Sequence, residues 1–119
     1  MTRPKFRVHS TYYLLELRYL KKAFSSLPSH GVVLDLGSSI SPHRNHFAQC
    51  TFFSVDINWD RRPSLVADIH LLPFRDNTAD VILLLDVLEH CQSPRNIVQE
   101  VQRVLKPDGV CIAVVPFLY

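Results

Sequence analysis

The chain has 119 residues, 47% hydrophobic and 20% charged, which fits one packed domain and excludes a disordered polar chain. Its formal net charge of +2 is too small, by itself, to argue for a nucleic-acid or membrane partner. The charge is uneven, because residues 1–30 carry six Lys or Arg against Glu16 while residues 31–119 carry seven against ten Asp or Glu.

The basic start could contact phosphate or acidic lipid, but it reads first as a solvated helix face and a loose tail. Residues 10–27, "STYYLLELRYLKKAFSSL", place Tyr13, Leu17, Leu20 and Phe24 on one helical stripe. Ser10 or Thr11 can cap this helix, and Pro28 and Gly31 end it. Tyr12, Tyr13 and Tyr19 read as helix packing. "VVLDLG" is then a strand covered on both faces. "SPHRNHFAQC" opens like a helix, with Ser41 as N-cap and Pro42 in the first turn. "TFFSVDI" (51–57) is a second strand and "PSLVADI" (63–69) a shorter third, with Arg61 and Arg62 in a solvated loop between them. "LLPFRDNTA" carries loop and turn residues. "ADVILLLDV" (79–87) is the strongest strand. "SPRNIVQEVQRVLKPDG" is a helix capped by Ser93, with Pro94 in its first turn and Pro107 and Gly109 at its end. "VCIAVVPF" (110–117) is a fifth strand. Strands that are apolar on both faces and alternate with helices predict an α/β fold with a mostly parallel sheet between two helical layers. One domain is expected: an N-terminal helical segment over 1–30 and a core over 31–119.

Ligands of open parallel sheets bind at the carboxyl ends of the strands. Here the first four strand ends carry Asp35 with Gly37, Asp56, Asp68 and Asp86. Carboxylates at buried strand ends are costly without a partner. A single one can be a helix cap or a solvated turn, but four at one edge favour a polar ligand. An acid at the second strand end can accept both ribose hydroxyls. A glycine after the first strand lets the backbone approach a ligand. An acid at the third can accept from an adenine amino group. The set suits a cofactor containing adenosine. Asp35 would repel a pyrophosphate but suits an ammonium or sulfonium.

"VVLDLGSS", "FFSVDI", "VADIHLLPFRDNTADVILLLDVLEH" and "VQEVQRVLKPDGVCIAVVPF" resemble successive motifs of the class I S-adenosylmethionine-dependent methyltransferases, in the subgroup with "LPF", "LEH" and "RVLKPGG" patterns. The resemblance covers residues 30–117 and implies a Rossmann-like fold, S-adenosyl-L-methionine as cofactor and a small-molecule methyl acceptor. It implies that Asp35, Gly37, Ser38 and Ser39 lie beside the methionine part. It places Asp56 on the ribose hydroxyls with Ile57 against the adenine, and Asp68 with Ile69 at the adenine edge. Asp86 and Val87 fall next to the transferred methyl. His90 matches a histidine that faces the substrate in some relatives; the alternative is a residue near the cofactor with no catalytic task. No DPPY-like motif follows the fourth strand, which speaks against the amino-methylating nucleic-acid enzymes of this fold.

Two departures stand out. Ser39 and Ser41 occupy the second and third glycine positions of the family loop, which restricts the backbone. The chain also stops at Tyr119, after five expected strands, where the family adds an antiparallel pair. The fifth strand is then expected as an exposed apolar edge, open to self-association, in a chain that is either a fragment of a longer protein or a shortened product, with weak or absent catalysis alone. A non-catalytic cofactor-binding or protein-interaction module is the alternative. A nicotinamide enzyme is disfavoured by the lack of GxGxxG and by Asp35.

Cys50, Cys91 and Cys111 form no CxxC pair, as suits free thiols in a reducing compartment. His43, His46 and Cys50 could share a helix face, but a zinc site needs a fourth ligand, and no metal is expected. No apolar run reaches the roughly 20 residues of a membrane span. The start lacks the apolar core of a secretory signal, and its arginines give only a weak transit-peptide signal. A cytoplasmic protein with no nucleic-acid or membrane partner is the expectation.

Overall fold

The computed structural model describes residues 2–9, 13–38 and 41–115, with side chains for 2–7, 18–38 and 41–115. The elements in chain order are β1 (Lys5–His9), α1 (Tyr13–Ser25), β2 (Val32–Leu36), β3 (Thr51–Asp56), β4 (Leu65–Val66), β5 (Ala79–Leu85), α2 (Pro94–Val104) and β6 (Leu105–Val114). Short 3-10 turns lie at Arg44–Phe47, Trp59–Arg61 and Leu88–His90. The six strands form one sheet in the order β1-β6-β5-β2-β3-β4, and every pair is parallel.

Side-chain alternation along the inner strands sorts the core into two faces. Leu34 and Leu36, Ile82 and Leu84, and Cys111 and Ala113 face Ile97, Val101 and Val104 of α2. Val33, Val81, Leu83, Ile112 and Val114 face Leu20, Ala23 and Phe24 of α1. These residues are almost wholly buried, and each large aliphatic one contributes about 1.5–3 kcal/mol on leaving water. The result is the expected three layers, with α1 on one side of the sheet and α2 on the other.

Six strands, rather than about five, make the sheet, and the added one corrects two expectations. Residues 5–9 are not a loose tail. They form β1, whose register pairs Lys5 with Val110 and His9 with Val114. Phe6 packs against the α2-side core, and Thr2 Oγ1 donates to the Asp108 carboxylate at the strand's start. The strand over 110–117 is therefore not an exposed edge, since β6 lies between β1 and β5; residues 116–119 fall outside those described. Self-association through that edge loses its ground. The outer strand is instead β1, whose Lys5 and Arg7 are exposed, and charged side chains on an edge discourage further pairing.

Three local expectations also change. The helix expected after Ser41 is only the four-residue turn Arg44–Phe47. It is fixed by ring contacts, with Phe47 5.2 Å from Phe24 and 5.9 Å from Phe52 between centroids. His43, His46 and Cys50 thus share no helix face, and among the described residues no three His, Cys, Asp or Glu side chains group as a metal site. Ser93 makes no side-chain cap bond; its carbonyl accepts from the Asn96 and Ile97 amides instead. α2 ends at Val104, and Pro107 and Gly109 lie in a bulge, because Ala79 pairs with Leu105 while Val81 pairs with Val110. Ser10 and Thr11, the expected caps of α1, lie outside the described residues.

Arg103 explains why "LPF" and "RVLKP" occur together. Its guanidinium donates to Glu100 at 2.8 and 2.9 Å, to Asp76 at 2.9 Å, and to the carbonyls of Phe74 at 2.8 Å and Leu72 at 3.1 Å. Glu100 also accepts from the Leu72 amide at 2.7 Å. Arg103 holds the Glu100 carboxyl below the usual range through these hydrogen bonds. α2 thereby clamps the loop that leads into β5. Arg103→Ala is expected to cost about 2 kcal/mol in urea unfolding and to speed hydrogen exchange at the Leu72 amide.

Candidate functional site

The carboxyl ends of β2, β3, β4 and β5 open into a cleft of about 620 Å³, large enough for a nucleoside-sized ligand. Gly37 follows β2, Asp56 ends β3 with Ile57 after it, and Ala67 to His70 follow β4. Asp86 and Val87 follow β5. His90, Cys91, Gln92, Ser93 and Asn96 close the far wall from the turn Leu88–His90 and the start of α2. Of the eleven residues singled out from sequence, Gly37, Asp56, Ile57, Asp68, Ile69, Asp86, Val87 and His90 are brought to this one cleft.

Three are not. Asp35 lies inside β2, is 3% exposed and lines no part of the cleft. Burial pushes its carboxyl from 3.8 up to about 6, opposed by the Ser41 hydroxyl and the Arg44 charge. Ser38 is buried beside Gly37. Ser39 lies outside the described residues. Ser41 sits close enough to Asp35 to temper its shift, yet neither Ser38 Oγ nor Ser41 Oγ reaches a partner at hydrogen-bonding geometry among the described residues. Ser41 has φ +50°, a conformation glycine takes at less cost. A left-handed backbone angle is thus carried by serine at this one position of the loop.

The acids differ in setting. Asp56 Oδ1 accepts from the Asn58 amide at 2.9 Å. Asp68 Oδ1 accepts from the His70 amide at 2.9 Å and from His70 Nδ1 at 2.7 Å. The backbone bond first, and the imidazole next, hold the Asp68 carboxyl below its usual range. Asp86 has φ +58° and its amide donates to Val114 at 2.9 Å. Its Oδ1 is buried with no hydrogen-bond partner among the described residues. A strained backbone carrying an unpartnered buried carboxylate oxygen marks a ligand site more often than a structural one. His90 is at the rim, its side chain 79% exposed and 3.5 Å from Glu89.

His70, Cys91, Gln92, Ser93 and Asn96 were missed in the sequence reading. The pattern Asp-x-His was the available signal for His70, because an Asp followed two residues later by a donor can form a side-chain turn. Cys91 donates to the Val87 carbonyl at 3.2 Å, and burial and nearby carboxylates push its thiol up, so it lines the cleft as a protonated thiol.

A parallel sheet with acids converging on one cleft at its carboxyl edge defines a Rossmann-like nucleoside-binding domain. The chain belongs to the methyltransferase domain family, which matches residues 34–113, and to its class I, S-adenosylmethionine-dependent branch. It is 32% identical over 87 residues to the sterol 4-C-methyltransferase strm-1 of Caenorhabditis elegans, covering 66% of this chain and 26% of that one. It is 30% identical to the ubiquinone/menaquinone biosynthesis C-methyltransferase UbiE of a Ruegeria species, covering 80% of this chain and 35% of that one. Phosphoethanolamine N-methyltransferase 2 of Haemonchus contortus, solved with phosphomonomethylethanolamine and S-adenosylhomocysteine, has the same fold. Its TM-score is 0.67 at 23% identity, over 84% of this chain and 28% of that one. The chain thus spans about a quarter to a third of the length of these relatives.

Proposed function

We propose that the cleft holds S-adenosylmethionine and that the protein transfers its methyl group to a small-molecule acceptor. The observation that carries this reading is the convergence of Gly37, Asp56, Asp68 and Asp86 on one cleft in a methyltransferase-family sheet. The residues fit the cofactor. Gly37 lines the cleft without a Cβ, whose direction Val87 already fills, Asp56 and Asp68 offer carboxylate acceptors, and Asp86 Oδ1 lacks a donor among the described residues. The names of the sterol and quinone relatives support a small-molecule acceptor. Three free cysteines support a reducing, cytoplasmic setting, and no described helix is long and apolar enough to cross a membrane.

In this reading Asp56 would accept from the ribose hydroxyls, Ile57 would pack against the adenine, and Asp68 with Ile69 would meet its edge, Asp68 accepting from the amino group. Gly37 would lie along the methionine part, with Asp35, two residues earlier in β2, as counter-charge. When bound, the cofactor supplies a methyl group already activated on a positive sulfur. The chain's task is then alignment and exclusion of water rather than acid–base chemistry. Val87 closes the wall beside the methyl, Asp86 fixes a donor there, and His90 faces the acceptor from the rim.

Calorimetry with S-adenosylmethionine, S-adenosylhomocysteine and NAD tests the proposal. The first two are expected to bind, and Asp56→Ala to weaken both by roughly 100-fold through the loss of two charge-assisted hydrogen bonds. Binding of NAD alone would overturn it.

A further inference from the structure

We propose that His70 is a positioning residue that orients Asp68 for the amino group of the cofactor's adenine, and so sets the preference for a 6-amino over a 6-oxo purine. This rests on the cofactor reading above and deepens it. Asp68 is exposed, its side chain 56% accessible, and a free aspartate there would sample several rotamers. Two donors stop it. The His70 amide and His70 Nδ1 reach the same oxygen, Oδ1, at 2.9 and 2.7 Å. A carboxylate oxygen has two lone pairs, and both donors land on this one. Among the described residues the side-chain bonds of Asp68 thus leave Oδ2 to a ligand donor, in an orientation fixed before binding. An ionised carboxylate can only accept, so the carbonyl of a 6-oxo purine would meet it with repulsion.

The two bonds differ in what they depend on. The amide bond makes the turn and survives any substitution at His70 except proline. The imidazole bond needs a donor at the Nδ1 position. In the neutral ring Nδ1 carries the proton, because Asp68 supplies none, and Nε2 becomes a bare acceptor. Nε2 is buried with no partner among the described residues, so the ring's contribution to Asp68 comes through Nδ1 alone. The turn would form without the imidazole, which separates a ligand-directed role from a structural one.

The test is calorimetry with S-adenosylhomocysteine and with its deaminated analogue, S-inosylhomocysteine. It uses the parent chain and three variants: His70→Ala, His70→Asn, whose amide nitrogen can stand where Nδ1 does, and His70→Gln, whose amide reaches the Nε2 position. The parent is expected to prefer the adenosine compound by 100-fold or more. His70→Ala and His70→Gln should lose about tenfold of that preference, through weaker binding of the adenosine compound with the inosine compound unchanged. His70→Asn should restore it. Thermal unfolding of each variant identifies a merely structural effect, which would lower both affinities together and track stability. Parent-like discrimination in His70→Ala, or equal loss in His70→Asn and His70→Gln, overturns the role of His70. Failure of the parent to bind either compound overturns the cofactor reading, and this proposal with it.

Discussion

Asparagine at Asp35 is expected to stabilise the chain at pH 8 by up to about 3 kcal/mol and to flatten its stability between pH 4 and 6. Asp35 is 3% exposed, and burial pushes its carboxyl from 3.8 up to about 6. Between those values the folded chain keeps a proton that the unfolded chain has lost. Stability therefore falls as pH rises through this window. The contribution is complete below about pH 4 and gone above about pH 6. At about 1.4 kcal/mol per unit, the two-unit difference amounts to about 3 kcal/mol. Urea unfolding of parent and Asp35→Asn at pH 4, 5, 6 and 8 measures it. A variant with the parent's slope would place the titrating group elsewhere.

The same residue should couple cofactor binding to a proton. A cationic ligand near Asp35 favours the ionised carboxylate, so binding should draw the proton off. Affinity for S-adenosylmethionine is expected to rise with pH up to about 6 and level off above it, by at most tenfold per unit. In Asp35→Asn that slope should vanish and the affinity fall.

The strands from 32 onward were legible because a sheet covered on both sides demands apolar residues at consecutive positions. Val33 with Leu34, and the run from Val81 to Leu84, left little other reading. β1 was not legible. Its Lys5, Phe6, Arg7, Val8, His9 alternation is the pattern of an edge strand, yet it is short and charged like a tail, and only β6 gives it a partner. The turn Arg44–Phe47 misled for a related reason. Ser41 and Pro42 signal a helix locally, whereas ring packing of Phe47 on Phe24 and Phe52 decides the path. At the site, residues that end strands could be read from position alone, which is why Asp56, Asp68 and Asp86 were found. Asp35 was also read as a strand end, but it points into the core two residues earlier, and that depends on where β2 stops. His70 needed the turn that brings its ring back to Asp68.

Alanine at Gly37 should be the most damaging small substitution at the cleft. Gly37 has φ +66°, and a Cβ there would stand 2.9 Å from both methyl carbons of Val87. The left-handed backbone costs a non-glycine residue about 1–2 kcal/mol. Pushing buried Val87 aside adds a further cost of about 1–3 kcal/mol. A loss of about 3 kcal/mol in urea unfolding is expected, with at least tenfold weaker binding of S-adenosylhomocysteine, since both residues line the cleft. The two causes can be separated. Val87→Ala removes the methyl carbons but leaves the backbone angle untouched. In the double variant the steric part should return as a coupling of about 1–2 kcal/mol, while the backbone part remains. Additive losses would mean that the clash is relieved by loop movement. An unchanged Gly37→Ala would mean that the backbone there does not need glycine, as it does without glycine at Ser41, where φ is +50°. The contrast between these positions is physical. Ser41 carries its left-handed angle with a side chain that finds room beside Asp35, whereas the Cβ direction at Gly37 is already filled by Val87.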